Sequence, residues 1–192
     1  MLPRLRRVWV RGRLGFSILF IAMPVLEILK YPDPRLQQPC RPVEQFDEHL
    51  RTLAEQMIET MQSAAGIGLA APQVGEHLQL TVIDLSGSSE PDKLLVLVNP
   101  VVEHQEGEVR DDEGCLSFPD LILVVPRPSR VVVTARDLDG EPFRVDADGL
   151  MARCLHHEID HLKGVLFIDR VSPLKQDMAR RKIAKRIRAG DW

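Results

Sequence analysis

The sequence predicts an α+β fold, with mixed or antiparallel sheets packed around one central helix and further helices towards each end. Three observations lead there. Segments rich in β-branched residues are grouped in the middle of the chain, not alternated with helices as in a βαβ series. A helical apolar period precedes this block and two more follow it. The first of these later helices carries His157-Glu158-Ile159-Asp160-His161, an H-E-x-x-H pattern.

The 192 residues are enough for one domain with a real core. A net charge of -3 sets up no global field for nucleic acid. The three cysteines, Cys40, Cys115 and Cys154, are too few and odd in number for a disulfide framework. They fit a reducing, cytoplasmic setting and leave a thiol free for chemistry.

Residues 1–22 carry five arginines and no acid, and an apolar run, 16–22, follows. Basic first and apolar next is the pattern of a targeting segment. The run is too short to span a bilayer, so no membrane association is expected. Met23 begins a clean globular pattern, so an extension produced by start-codon choice is the first reading, organelle targeting the second and secretion the last. The catalytic domain is therefore expected at 23–192.

Taken in order, residues 30–45 hold Pro32, Pro34, Pro39 and Pro42 and read as irregular. Leu50, Leu53, Ala54, Met57, Ile58 and Met61 recur at helical spacing, with Asp47 as N-cap and Gly66 as stop. Residues 66–75 (GIGLAAPQVG) read as a loop. Strands are expected over 78–85, 94–99, 101–110, 121–125, 130–137 and 142–146, with Asp139-Gly140 as a hairpin turn. Helices are expected over 148–162, with Leu155, Ile159 and Leu162 as its apolar stripe, and over 173–188.

Residues four apart on a helix share a face, so His157 and His161 can bind one ion. Glu158 lies about a third of a turn from His157, beside that ion. Two imidazoles and an adjacent carboxylate base are the parts of a metal-dependent hydrolase. An open site needs a third protein ligand. The metzincin pattern fails because position 167 is Phe167, and a downstream glutamate is ruled out because none follows His161. Cys115, in Glu113-Gly114-Cys115-Leu116-Ser117, is an upstream candidate, and thiolate suits a borderline-soft ion. Cys154, three residues before His157, is a competing ligand or a small residue lining the pocket.

GIGLAAPQVG (66–75), EGCLS (113–117) and HEIDH (157–161), with HLKGVLFIDR (161–170) and ILKYPDPRL (28–36), closely resemble peptide deformylase over about residues 23–175. The resemblance implies Cys115, His157 and His161 as metal ligands and Glu158 as catalytic glutamate. It implies Gln73 and the Leu116 N–H as donors to the substrate carbonyl, and Ile67 and Gly68 as pocket residues. It also implies Fe²⁺ as the ion, with Zn²⁺ or Ni²⁺ able to replace it, and N-formylmethionyl nascent peptides as substrates. His156 departs from the family, where glutamine is usual. A monomer is expected, with the basic C-terminal helix as a possible contact to the ribosome. Three other readings compete: an endopeptidase with a cysteine ligand, which has no need of Gln73 and the 66–75 block; a closed structural metal site, which does not need Glu158; and a relative that has lost activity, against which Gln73, Cys115 and Glu158 all stand intact.

Overall fold

A computed structural model describes residues 5–12, 15–22, 24–86 and 94–192, with side chains from residue 24 onward. Strands β1 (Leu5–Gly12) and β2 (Gly15–Ala22) pair with each other as an antiparallel hairpin that forms a sheet of its own. The irregular stretch after it contains a single 3-10 turn, Pro34–Gln37, capped by Asp33.

Helix α1 (Glu48–Ser63) begins where expected: the Asp47 carboxylate accepts from Leu50 N at 3.0 Å. Its stop differs. The left-handed residue is Ala65 (φ 53°), and Gly66 N then donates to Met61 O. The six apolar residues read as periodic are all buried on one face.

Residues 66–75 are more ordered than a loop. They contain β3 (Gly68–Ala70) and a 3-10 turn, Ala71–Val74. β3 is too short, and too full of small residues, to show a strand period. It is the edge of a five-stranded sheet ordered β3, β4 (Leu80–Ile83), β5 (Leu95–Glu106), β8 (Arg130–Arg136), β9 (Pro142–Asp148). All pairs of named strands are antiparallel, and a lone Arg41–Leu78 bridge is parallel. The strands expected at 94–99 and 101–110 are joined in one strand, β5, which ends at Glu106, while residues 109 and 110 begin the next strand, β6 (Val109–Cys115). β5 bends through register shifts between Val98 and Val101 and between Val102 and His104, and Asn99 there has φ 52°. The turn at Gly140 (φ 85°) joins β8 to β9, with the Asp137 carboxylate accepting from Asp139 N and Glu141 N.

The other sheet is a long hairpin, β6 (Val109–Cys115) with β7 (Phe118–Arg127). The strand expected at 121–125 is the centre of β7. Helix α2 (Gly149–Leu162) packs on β3, β4, β8 and β9, with Leu155 and Ile159 in the same apolar cluster as Ile83, Leu97 and Val133. Helix α3 (Pro173–Ala189) is capped by the Ser172 hydroxyl and buries Ala179 and Ile183 against Phe118, Leu121 and Phe167. Thus α2 lies centrally between the large sheet and the β6–β7 hairpin, as the α+β expectation requires.

Candidate metal centre

The β6–β7 hairpin delivers Cys115. Its register is regular from Val109–Arg127 to Glu113–Leu123, then breaks, so that residues 119–122 stand opposite Gly114 and Cys115 pairs with Phe118. Leu116 and Ser117 make the turn. The break turns the thiol away from the hairpin and towards α2.

On α2, His157 and His161 present their rings edge to face, with centroids 4.9 Å apart. His161 Nε2 lies 3.2 Å from His157 Nε2 and 3.3 Å from Cys115 Sγ. All three donor atoms fall within 4.8 Å of one another. Among the described residues this is the one cluster of its kind. Two nitrogens about 2.1 Å from a shared tetrahedral ion would stand roughly 3.4 Å apart, so the donor set fits a single ion. Cys154 does not compete. Its buried thiol reaches Ile67 O at 3.8 Å, and burial pushes its pKa well up.

Two buried polar atoms in the described region have no partner, Glu158 Oε2 and His161 Nδ1. An orphaned carboxylate oxygen beside a ligand cluster fits a place for water and substrate. Burial pushes the Glu158 carboxyl up to about 7, in the range useful to a group that both takes and gives a proton. Gly68 makes room for it: a Cβ there would meet Glu158 Oε1 at 2.3 Å and Cys154 Sγ at 2.9 Å. Burial likewise drives His161 well below its ordinary value, leaving a neutral ring with a lone pair to offer.

Behind the histidines runs a buried charge network. His157 Nδ1 donates to Glu113 Oε1 at 2.6 Å, which leaves Nε2 to face the cluster. Burial opposes a charge on His157, but contacts to Cys115 and Glu113 outweigh it and raise its pKa, so an incoming ion replaces a proton. Arg127, buried at the end of β7, donates to both Glu113 oxygens at 2.9 and 2.5 Å and also to Asp160. Burial favours a neutral Glu113, yet the bonds from Arg127 and His157 prevail and hold it well below the usual carboxylate range. Arg170 clasps Asp160 from the other side, at 3.0 and 2.5 Å.

His156, the family departure, joins this network. Arg127 Nη1 can only donate, so His156 Nδ1 accepts, at 2.9 Å, and Nε2 is left to donate to Gln105 Oε1 at 3.2 Å. Burial lowers its pKa to about 4, consistent with that neutral ring.

The expected substrate residues gather on one cavity of about 410 Å³. Ile67, Gly68, Gln73, Leu116, Cys154 and Glu158 all line it. Gln73 is locked: its Oε1 accepts from Ala70 N at 2.8 Å, and its Nε2 donates to Ser117 Oγ at 3.1 Å and points at Cys115 Sγ, 3.5 Å away. Sequence reasoning misses Arg127, Asp160 and also Arg153, whose Nη1 donates to Glu113 Oε2 at 3.3 Å. The available signal was Arg127 itself, a lone charge between Pro126 and Pro128 at the end of an apolar run.

Three converging soft and borderline donors, with a carboxylate beside an open cavity, define a metal-dependent hydrolase. Residues 25–177 match the family described as polypeptide deformylase, and the chain belongs to that family. A peptide deformylase of Acidobacterium capsulatum is 53% identical over 170 residues, 88% of this chain and 100% of that one. The crystal structure of a peptide deformylase from Legionella pneumophila superposes with a TM-score of 0.81 at 47% identity, covering 87% of this chain and 98% of that one. A peptide deformylase from Synechococcus elongatus, in complex with actinonin, gives 0.80 at 48% identity, over 85% and 90%.

Proposed function

We propose that this chain removes the formyl group from the N-terminal formylmethionine of nascent polypeptides, with Glu158 as general acid/base and Cys115, His157 and His161 holding one Fe²⁺ ion. One observation carries the reading: Glu158, with an orphaned carboxylate oxygen, shares a cavity with Cys115, His157 and the locked amide of Gln73. An ion on the three ligands supplies Lewis acidity and an acidified water. Zn²⁺ or Ni²⁺ can take its place, because the donor set does not discriminate strongly among these ions.

The protein's own part is as follows. Glu158 takes a proton from the attacking water and passes it to the leaving amine, so formate and a free methionine amino group result. As the formyl oxygen gains charge, the Gln73 Nε2–H and the Leu116 N–H donate to it. Gln73 is fitted for this because its oxygen is already occupied by Ala70 N, which fixes the amide with its N–H₂ towards Cys115 and Ser117, beside the ligand cluster. Glu113 and Arg127 hold the His157 ring in the tautomer that offers Nε2. Ile67, Gly68 and Cys154 shape the cavity wall that receives the methionine side chain.

Residues 23–192 are the catalytic domain in this reading, acting as a cytoplasmic monomer. No described helix is long and apolar enough to cross a membrane. The outer face of α3, with Arg181, Lys182, Lys185 and Arg188 exposed, suits docking to ribosomal phosphate. Anaerobically purified protein is expected to release formate from formyl-Met-Ala-Ser. The Glu158→Ala variant is expected to keep its metal and lose that activity. Cleavage of the Met–Ala bond instead would support an endopeptidase.

A further inference from the structure

Part of the cavity wall is made by a segment that its own hairpin does not hold. Residues 119–122 lie in the register break of β7, where the partner strand offers only Gly114. Asp120 there has φ 56°, a left-handed conformation that disfavours a residue with a Cβ. Asp120, Leu121 and Ile122 nevertheless line the cavity. The ladder of the hairpin does not fix this stretch, so contacts from outside it do.

That support comes from the far end of the chain. Arg186 Nη1 donates to Pro119 O at 2.8 Å and Nη2 to Asp120 Oδ2 at 3.1 Å. The same guanidinium is fixed from behind. Its Nε donates to Asp191 O at 2.8 Å and Asp191 Oδ2 at 3.2 Å, and its Cζ lies 5.2 Å from the Trp192 ring centroid. The Trp192 indole N–H in turn donates to Tyr31 O. The Tyr31 ring stacks on Phe118, 5.0 Å away, and Phe118 also lines the cavity. Arg186 is only 19% exposed, which suits a fixed fork more than a loose surface cation.

We propose that Arg186, braced by Asp191 and Trp192, is a positioning residue that sets the cavity wall at 119–122, a role that rests on this cavity being the deformylase substrate site. It touches neither the ligands nor Glu158, so its effect falls on substrate binding and not on the chemical step.

Hydrogen exchange and steady-state kinetics on the full-length, metal-loaded protein test this together. In Arg186→Ala, amides of 118–123 are expected to exchange at least about fivefold faster, with those of α2 unchanged. KM for formyl-Met-Ala-Ser is expected to rise about five- to tenfold, with kcat within about twofold. Arg186→Lys recovers part of both effects, because one ammonium cannot reproduce the fork. Unchanged exchange at 118–123 overturns the proposal, as does faster exchange with an unchanged KM or a loss confined to kcat. If Arg186→Ala does not fold, Arg186→Gln is read by the same criteria. A wild-type protein that releases no formate would sink the deformylase reading, while the exchange data would still report whether Arg186 holds the wall.

Discussion

At the scale of single residues, the proposed chemistry rests on a few buried side chains. Gln73 is the clearest case. Its amide both caps Ala70 N and faces Cys115 and Ser117. Gln73→Ala is expected to lower kcat/KM by about 10²–10³, and also to destabilise by about 1–3 kcal/mol because Ala70 N loses its buried acceptor. Parallel formate assays and thermal melts check both. Gly68→Ala drives a methyl into the Glu158 carboxylate. A base displaced by about an ångström costs roughly 10² in kcat, measured with metal content unchanged. The thiols also separate cleanly. Burial pushes Cys40 up to about 11 and Cys154 well up, whereas Cys115 is half-exposed on the cavity. Iodoacetamide at pH 8 is expected to label one thiol per metal-free chain, Cys115, and none when the ion is bound, as read by mass. Much of this scale was legible in the sequence, because H-E-x-x-H spacing is a local property of a helix. The role of Arg127 was not, because its partners Glu113 and Asp160 lie 14 and 33 residues away.

At the scale of elements, α2 and the β6–β7 hairpin form the site by meeting across a buried charge network. Arg127 bridges two carboxylates from different elements, Glu113 on β6 and Asp160 on α2, and Arg170 adds a second positive charge at Asp160. Removing one partner of a buried pair leaves uncompensated charge. Arg127→Met is therefore expected to cost about 3–5 kcal/mol of stability and to weaken metal retention about 10- to 100-fold. Denaturant titration and competition with a chelator measure these. Helices α1 and α2 were readable because their apolar periods are local, as is the Asp47 cap of α1; the Ser172 cap of α3 was not read. β3 was not, since three residues of Gly-Leu-Ala carry no period and are strand only because β4 lies alongside. The register break at 119–122 was equally hidden, because it depends on which residues face each other across the hairpin.

At the scale of the whole molecule, the site sits where α2 is enclosed between the five-stranded sheet and the β6–β7 hairpin, with α3 closing the outside of that hairpin. The α+β class followed from strands grouped in sequence, but the order β3-β4-β5-β8-β9 required long-range pairing that no local pattern encodes. Strands β1 and β2 pair with each other, and the family match begins at residue 25. A chain of residues 23–192 is accordingly expected to keep kcat/KM within about twofold of the full-length value. In the proposed reading, all of these functions depend on one ion held by Cys115 of the hairpin and His157 and His161 of α2. The most direct measurement is metal content by mass spectrometry on anaerobically purified wild type, Glu158→Gln and His161→Ala. One ion per chain is expected in the first two, and loss of the ion in the third. A full complement of equally tight ion in His161→Ala would contradict the account.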